Sequence, residues 1–196
     1  SGPNHAEEVC RGLATATVIG SASEEVSAYL QGLFTAPTFR SYTSDDLAGI
    51  EWGGAIKNVF AIASGIAKGL GLGDNATAAL VTRGLAEMIR LGTALGGRPD
   101  TFVGLSGVGD LIATCYSNHS RNYRAGISIG HGNTVQETLD AEGMVVSRHI
   151  GMGEIGPARQ VVGIVGDDDR LGHGAQHLDI VAAVAGSEDV LVGQHQ

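Results

Sequence analysis

Lys57 is one of only two lysines in this chain, and it falls inside a segment patterned as a buried helix. Apolar residues recur at Ile50, Ile56, Val59, Phe60, Ala63, Ile66, Ala67 and Leu70, at mixed spacings of three and four. Lys57 lies off that stripe, among Gly53, Gly54, Ala61 and Ser64 at helical-neighbour positions, all of them small. Glycine costs a helix about 1 kcal/mol relative to alanine, so two of them beside a lysine imply that close approach matters. What approaches is either a neighbouring backbone, with Lys57 a surface lysine on a tightly packed helix, or a ligand brought to an ammonium. Two further groups carry chemistry. Asp110 and Thr114 are four apart and share a face if that segment is helical. Ser120-Arg121-Asn122 offers a planar guanidinium suited to phosphate and, if Asn122 begins a helix, backbone N–H groups that favour an anion. Lysine, carboxylate, hydroxyl and arginine together would suit a small phosphorylated, oxygen-rich substrate. Spacing alone equally allows Asp110 as a helix cap, Thr114 as a core hydroxyl and Arg121 as an exposed ion-pair partner.

Other groups say less. His173 and His177 are four apart with Asp179 close by, but a glycine-rich polar segment reads as a solvated loop rather than a metal site. Cys115 has no base in view and reads as a small buried hydrophobe. Neither a G-x-x-x-x-G-K-[ST] loop nor a G-x-G-x-x-G between strand and helix occurs. The alternate glycines of Gly69-Leu70-Gly71-Leu72-Gly73 fall between helices and do not serve as one.

The elements that must hold these groups divide the chain in three. Residues 1–46 read as strand, helix, strand at the edge of a larger sheet. The strands are Ala14–Ile19 and Thr38–Thr43, and between them Ser21 and Glu24 form a capping box. The helix they open carries Val26, Tyr29, Leu30, Leu33 and Phe34 on one face. Residues 47–142 read as helical. A helix from about Leu47 to Leu70 carries Lys57. The next, capped by Asp74 or Asn75, presents Leu80, Val81, Leu85, Met88 and Leu95 and stops at Gly96-Gly97. A short helix near Asp100–Leu105, a flexible turn at Gly107–Asp110, a helix over Ser120–Ile129 and a capping box at Thr134–Glu137 follow. Residues 143–196 lack aromatics and lysine and read as loosely ordered.

A formal charge of -9 argues against nucleic acid or an anionic membrane as the main partner. No apolar run reaches the roughly 18 residues of a membrane span. Two cysteines without a pairing motif suit a reducing compartment. The chain starts at Ser1 and its first methionine is Met88, which fits a processed chain or a fragment.

Several motifs in register carry a family resemblance. They are Ser1-Gly2-Pro3-Asn4-His5-Ala6-Glu7-Glu8, Phe39-Arg40-Ser41-Tyr42-Thr43, Gly53-Gly54-Ala55-Ile56-Lys57-Asn58-Val59, Gly71-Leu72-Gly73-Asp74-Asn75 and Thr82-Arg83-Gly84-Leu85-Ala86-Glu87-Met88. Gly107-Val108-Gly109-Asp110-Leu111, Thr114-Cys115 and Ser120-Arg121-Asn122 continue the order. Over about residues 1–142 the chain resembles the bacterial type of NAD(P)-dependent glycerol-3-phosphate dehydrogenase. The resemblance implies the end of a Rossmann-type nucleotide domain, then an all-helical substrate domain. The family's upstream phosphate fingerprint and an upstream active-site lysine fall outside this sequence.

Residue by residue, the resemblance implies Lys57 as the catalytic lysine, exchanging a proton with the C2 oxygen. Asp110 and Thr114 would line the substrate pocket, with Asp110 positioning Lys57 or a substrate hydroxyl. Ser120, Arg121 and Asn122 would hold the substrate phosphate, and Arg121 would also reach the cofactor, NAD or NADP. Gly2 and Asn4 would touch substrate and Ala6 the nucleotide. Asn4 stands where the family more often has serine or threonine, and it keeps hydrogen-bonding capacity. The implied reaction interconverts glycerol 3-phosphate and dihydroxyacetone phosphate in the cytoplasm, supplying phospholipid synthesis; a homodimer is allowed. The alternative is a catalytically inactive helical phosphate-binding or oligomerisation fragment. After about Gly143 the resemblance stops: Val145-Val146-Ser147 has serine where the family has a nucleotide-contacting glutamate. A shifted reading frame would explain both this and the tail's composition.

Overall fold

The structure is a computed structural model that describes residues 1–141. The readings made for 143–196, including the His173–His177 pair, the serine at 147 and the shifted frame, lie outside the described residues.

The N-terminal part runs α1 (Ala6–Val9), β1 (Thr15–Gly20), α2 (Glu24–Phe34) and β2 (Phe39–Ser44). The two strands pair in parallel, from Thr15 opposite Phe39 to Gly20 opposite Ser44. Parallel neighbours require a crossover, and α2 supplies it. Both expected strands are present, each shifted one residue later at its end. The cap of α2 is Ser23, whose hydroxyl accepts from Val26 N–H; Ser21 instead accepts from Ser23 N–H. Ser21 thus orders the turn before the helix, a role that the Ser-x-Ser repeat leaves ambiguous in sequence. Val26, Tyr29, Leu33 and Phe34 are exposed. The helix lies on the sheet through the stripe of Ser27, which is buried, and Gln31, whose amide donates to the Ser41 carbonyl.

The helical part comprises α3 (Leu47–Gly69), α4 (Gly73–Ala94), α5 (Pro99–Phe102), a π-helical turn at Leu105–Gly109, α6 (Asp110–Tyr116), α7 (Arg121–Gly130) and α8 (Val135–Ala141). Asp46 opens it. Its carboxylate accepts from Gly49 N–H as the cap of α3, and from Arg98 N–H and the Thr101 hydroxyl at the start of α5. One buried side chain thus clips two helix starts together. α4 begins at Gly73 with no side-chain cap, so Asp74 sits inside the first turn rather than capping it. There its charge still complements the positive end of the helix. The Thr134–Glu137 capping box forms reciprocally, the carboxylate taking Thr134 N–H and the Thr134 hydroxyl accepting from Glu137 N–H.

The core is built of small residues against few large ones: Ala61, Ala63 and Ala67 of α3, Leu80, Val81 and Met88 of α4, with Phe102, Leu111 and Cys115. Leu95, expected inside, is exposed at the end of α4. Phe102 fills the hollow left by Gly92 and Gly97, where a Cβ would collide with its ring. The most extensive helix contact joins α3 to α7. Gly65 meets Gly126, and one turn further Gly69 meets Gly130. A Cβ on Gly126 would stand 2.9 Å from Gly65 Cα, and one on Gly130 3.0 Å from Gly69 Cα. These two backbones therefore touch, which only glycine at both positions permits.

Candidate functional site

Lys57 projects from α3 and donates from Nζ to Asp110 Oδ2 at 2.6 Å. The side chains are 19% and 8% exposed, so the pair is largely withdrawn from water while the ammonium keeps an opening to it. Asp110 is the first residue of α6, reached through the π-helical turn. Thr114, one turn on, donates its hydroxyl to the Asp110 carbonyl at 2.6 Å and lies 3.4 Å from Asp110 Oδ1. Threonine thus anchors the Asp110 backbone, and the carboxylate faces lysine. The turn before Asp110 is packed rather than loose. Gly107 is buried, with Phe102 backbone where its Cβ would go, and this corrects the flexible turn expected there.

Gly53 and Gly54 act differently from one another. A Cβ on Gly53 would sit 2.7 Å from the Ser106 carbonyl, so this glycine admits the π-helical turn against α3. A Cβ on Gly54 would meet nothing within 4 Å. Close backbone approach, one of the two readings of the small residues around Lys57, therefore holds at Gly53, while Gly54 leaves open space.

The N-terminal segment passes along the same place. Pro3 Cδ would lie 3.6 Å from a Cβ on Gly109, and His5 Nε2 donates to the Ala113 carbonyl at 3.3 Å. Gly2 is buried against the β1 backbone at φ +128, a conformation that favours glycine. Asn4 donates from Nδ2 to Thr17 Oγ1 at 2.8 Å, and Thr17 in turn donates to the Ser1 carbonyl. Ala6 is exposed at the first position of α1.

On the other flank, Ser120 caps α7, its hydroxyl accepting from Tyr123 N–H at 3.2 Å. Arg121 starts the helix and is exposed. Asn122 is half-buried and donates from Nδ2 to Asn58 Oδ1 at 2.9 Å. Asn58 follows Lys57 on α3, so this bond fixes the start of α7 against the turn of α3 that carries Lys57. The structure therefore brings Lys57, Asp110 and Thr114 into one hydrogen-bonded set, ties Asn122 to Asn58, the residue after Lys57 on α3, and runs the Gly2–His5 segment past Asp110 and its helix. Ser120 and Arg121 enter as the neighbours of Asn122 on the same helix start.

Cys115 does not join the set. It is fully buried, and burial pushes its thiol up to about 12 despite the pull of the Lys57 charge. A thiol held neutral is no nucleophile. The Asn58–Asn122 bond and the Gly65–Gly126 and Gly69–Gly130 contacts were not read as pairs in the sequence. The signal was present as small residues four apart on two helices, but one sequence does not say which helices meet.

A family model described as NAD-dependent glycerol-3-phosphate dehydrogenase C-terminus matches residues 46–155, over half of the chain. The chain belongs to this family. The match continues past Gly143, where the motif resemblance fades. Among curated relatives, glycerol-3-phosphate dehydrogenase [NAD(P)+] of Moorella thermoacetica is 60% identical over 146 residues, covering 74% of this chain and 44% of the relative. The protein of that name from Oceanobacillus iheyensis is 57% identical over 146 residues, covering 74% and 42%. The chain thus spans less than half the length of these relatives. Among solved structures, glycerol-3-phosphate dehydrogenase from Coxiella burnetii superimposes with a TM-score of 0.70 at 37% identity, over 96% of this chain and 51% of that one. The yeast glycerol-3-phosphate dehydrogenase gives 0.66 at 26% identity, over 100% and 55%. The fold is accordingly the helical C-terminal domain of a glycerol-3-phosphate dehydrogenase with a small parallel two-stranded sheet ahead of it. Among the described residues, no helix is long and apolar enough to cross a membrane.

Proposed function

We propose that this segment, within a chain of full family length, carries the substrate half of an enzyme that interconverts glycerol 3-phosphate and dihydroxyacetone phosphate with NAD or NADP. The observation that carries the reading is the Lys57–Asp110 pair, 2.6 Å apart and largely buried, with Asn122 tied to the next residue of the same helix.

Lys57 faces the C2 oxygen of the substrate. Negative charge grows on that oxygen during reduction, and an ammonium already held in place stabilises it without reorganisation. The same group delivers the proton, and takes it back in the reverse direction. Asp110 positions Nζ, and Thr114 positions Asp110. Arg121 takes the phosphate in bidentate fashion, with Asn122 and the Ser120 hydroxyl beside it. Gly2 and Asn4 close the pocket from the sheet side, where Asn4 Nδ2 is already engaged by Thr17 and its Oδ1 serves the ligand. Fixing the phosphate orients a substrate of few atoms and lets a remote group contribute to rate.

The residues present fit one flank of a nicotinamide cofactor. The chain leaves the β1 edge at Gly2 and enters α1 at Ala6, the kind of crevice beyond a sheet where open α/β folds bind ligands. Ala6 and Arg121, both exposed, would border it. When bound, the cofactor supplies or accepts the hydride. The setting consistent with this chemistry is the cytoplasm, with glycerol 3-phosphate passing to phospholipid synthesis.

Substituting Arg121→Ala in the full-length chain tests the phosphate contact. The KM for dihydroxyacetone phosphate should rise by about tenfold or more, as expected for a lost charge-assisted contact. An unchanged KM would remove Arg121 from the phosphate site.

A further inference from the structure

Asn58 has a hydrogen-bonding pattern that fixes more than itself. Its Nδ2 donates to the Gly54 carbonyl at 3.3 Å, one turn back on α3. A backbone carbonyl can only accept, so the amino end of the Asn58 amide must face Gly54. The carbonyl end then faces α7 and accepts from Asn122 Nδ2 at 2.9 Å. An amide oxygen also only accepts, so Asn122 must present its amino end here. The polarity of Asn122, on the neighbouring helix α7, is dictated by the Gly54 carbonyl acting through Asn58. One N–H of the Asn122 amino group is engaged by this bond, and the second stays on a nitrogen whose position is set.

The geometry points to Asn58 as a positioning residue for substrate binding, which orients the Asn122 amide so that its remaining N–H serves a phosphate oxygen. This rests on the reading of the site given above and deepens it. Asn58 adjoins Lys57 in sequence, yet its side chain is coupled to the opposite flank of the site. It acts on binding of the phosphorylated end and not on proton transfer at C2.

The test is a set of variants in the full-length chain, assayed with dihydroxyacetone phosphate and reduced nicotinamide cofactor. Asn58→Ala removes both bonds and leaves a strong helix former. Asn58→Ser keeps a hydroxyl able to bond the Gly54 carbonyl one turn back, but cannot reach Asn122. Both should raise the KM for dihydroxyacetone phosphate by about fivefold to tenfold while kcat changes by less than about twofold, the size of one hydrogen bond made equally in ground and transition states. In an Asn122→Ala background, Asn58→Ala should add less than about twofold, because the group it orients is gone. Thermal unfolding of each variant checks that the fold is kept.

A fall in kcat at unchanged KM would show that Asn58 acts on Lys57 and would overturn the inference. Full additivity with Asn122→Ala would overturn it too, as would an unchanged KM in both single variants. If the unsubstituted full-length chain fails to turn over dihydroxyacetone phosphate, the proposed function falls, and the inference resting on it falls with it. Activity in the parent with unaffected variants removes the Asn58 inference alone.

Discussion

At the scale of single residues, the site depends on side chains whose hydrogen bonds leave little choice of orientation. Thr114 is spent on Asp110, Asp110 on Lys57, and Asn58 on Asn122. Asp46 shows the same economy in a structural role, accepting three bonds with a buried carboxylate. Burial raises the proton affinity of Asp46. The bonds from Thr101, Arg98 and Gly49 outweigh that and hold it below the usual carboxylate value. A depressed folded value means the ionised form stabilises the fold. That contribution is complete above the unfolded value near 3.8 and fades as pH falls through the lower folded value. Asp46→Asn should therefore cost about 1–3 kcal/mol at neutral pH and flatten the acid limb of stability below about pH 4. Urea midpoints measured from pH 3 to 7 check this, and an unaltered acid limb would show that Asp46 carries no such linkage. Lys57, Asp110 and Thr114 stood out in the sequence by type and spacing. Their contact did not, because a separation of 53 residues between lysine and aspartate is set by packing alone.

Among the elements, α3 is the beam on which the site is assembled. It carries Lys57 and Asn58, receives the π-helical turn at Gly53, and takes α7 in backbone contact at Gly65 and Gly69. That contact sets how deep the start of α7 lies, and with it the position of Ser120, Arg121 and Asn122. Gly126→Ala places a methyl against the Ile62 carbonyl and Gly65. The expected cost is about 1–3 kcal/mol or more from overpacking. Because α7 must shift to relieve it, the KM for the phosphorylated substrate should rise together with the loss of melting temperature. A variant with wild-type stability and KM would show that α7 is not pinned in this way. The helices were legible from apolar periodicity and from the Thr134–Glu137 capping box, which depends on local chemistry. The choice of Ser23 over Ser21, and the starting point of α4, depend on a residue or two of local geometry that composition does not resolve. Gly69 reads in sequence as a helix stop. In the structure it is that and a contact surface as well.

Across the molecule, the order of strand, helix, strand and then helices was visible in the sequence, and the solved relatives share it. The orientation of α2 was not. Its apolar stripe faces outward, and its serine and glutamine face the sheet. Periodicity locates an apolar face but does not say which side of the helix a two-stranded sheet will meet. The glycine-rich composition likewise resolves only in three dimensions. Several glycines accept a neighbour's backbone or an aromatic ring, as Gly53, Gly65, Gly92 and Gly126 do, and so replace the large side chains that a core with few aromatics lacks.

The central claim is that the ammonium buried beside Asp110 serves the reaction at C2. Lys57→Ala in the full-length chain addresses it most directly, with kcat for dihydroxyacetone phosphate reduction as the readout and thermal unfolding as the check on the fold. Loss of a positioned acid that also stabilises developing charge should lower kcat by about a hundredfold to ten-thousandfold, with a smaller change in KM. A kcat near that of the unsubstituted chain would contradict the account.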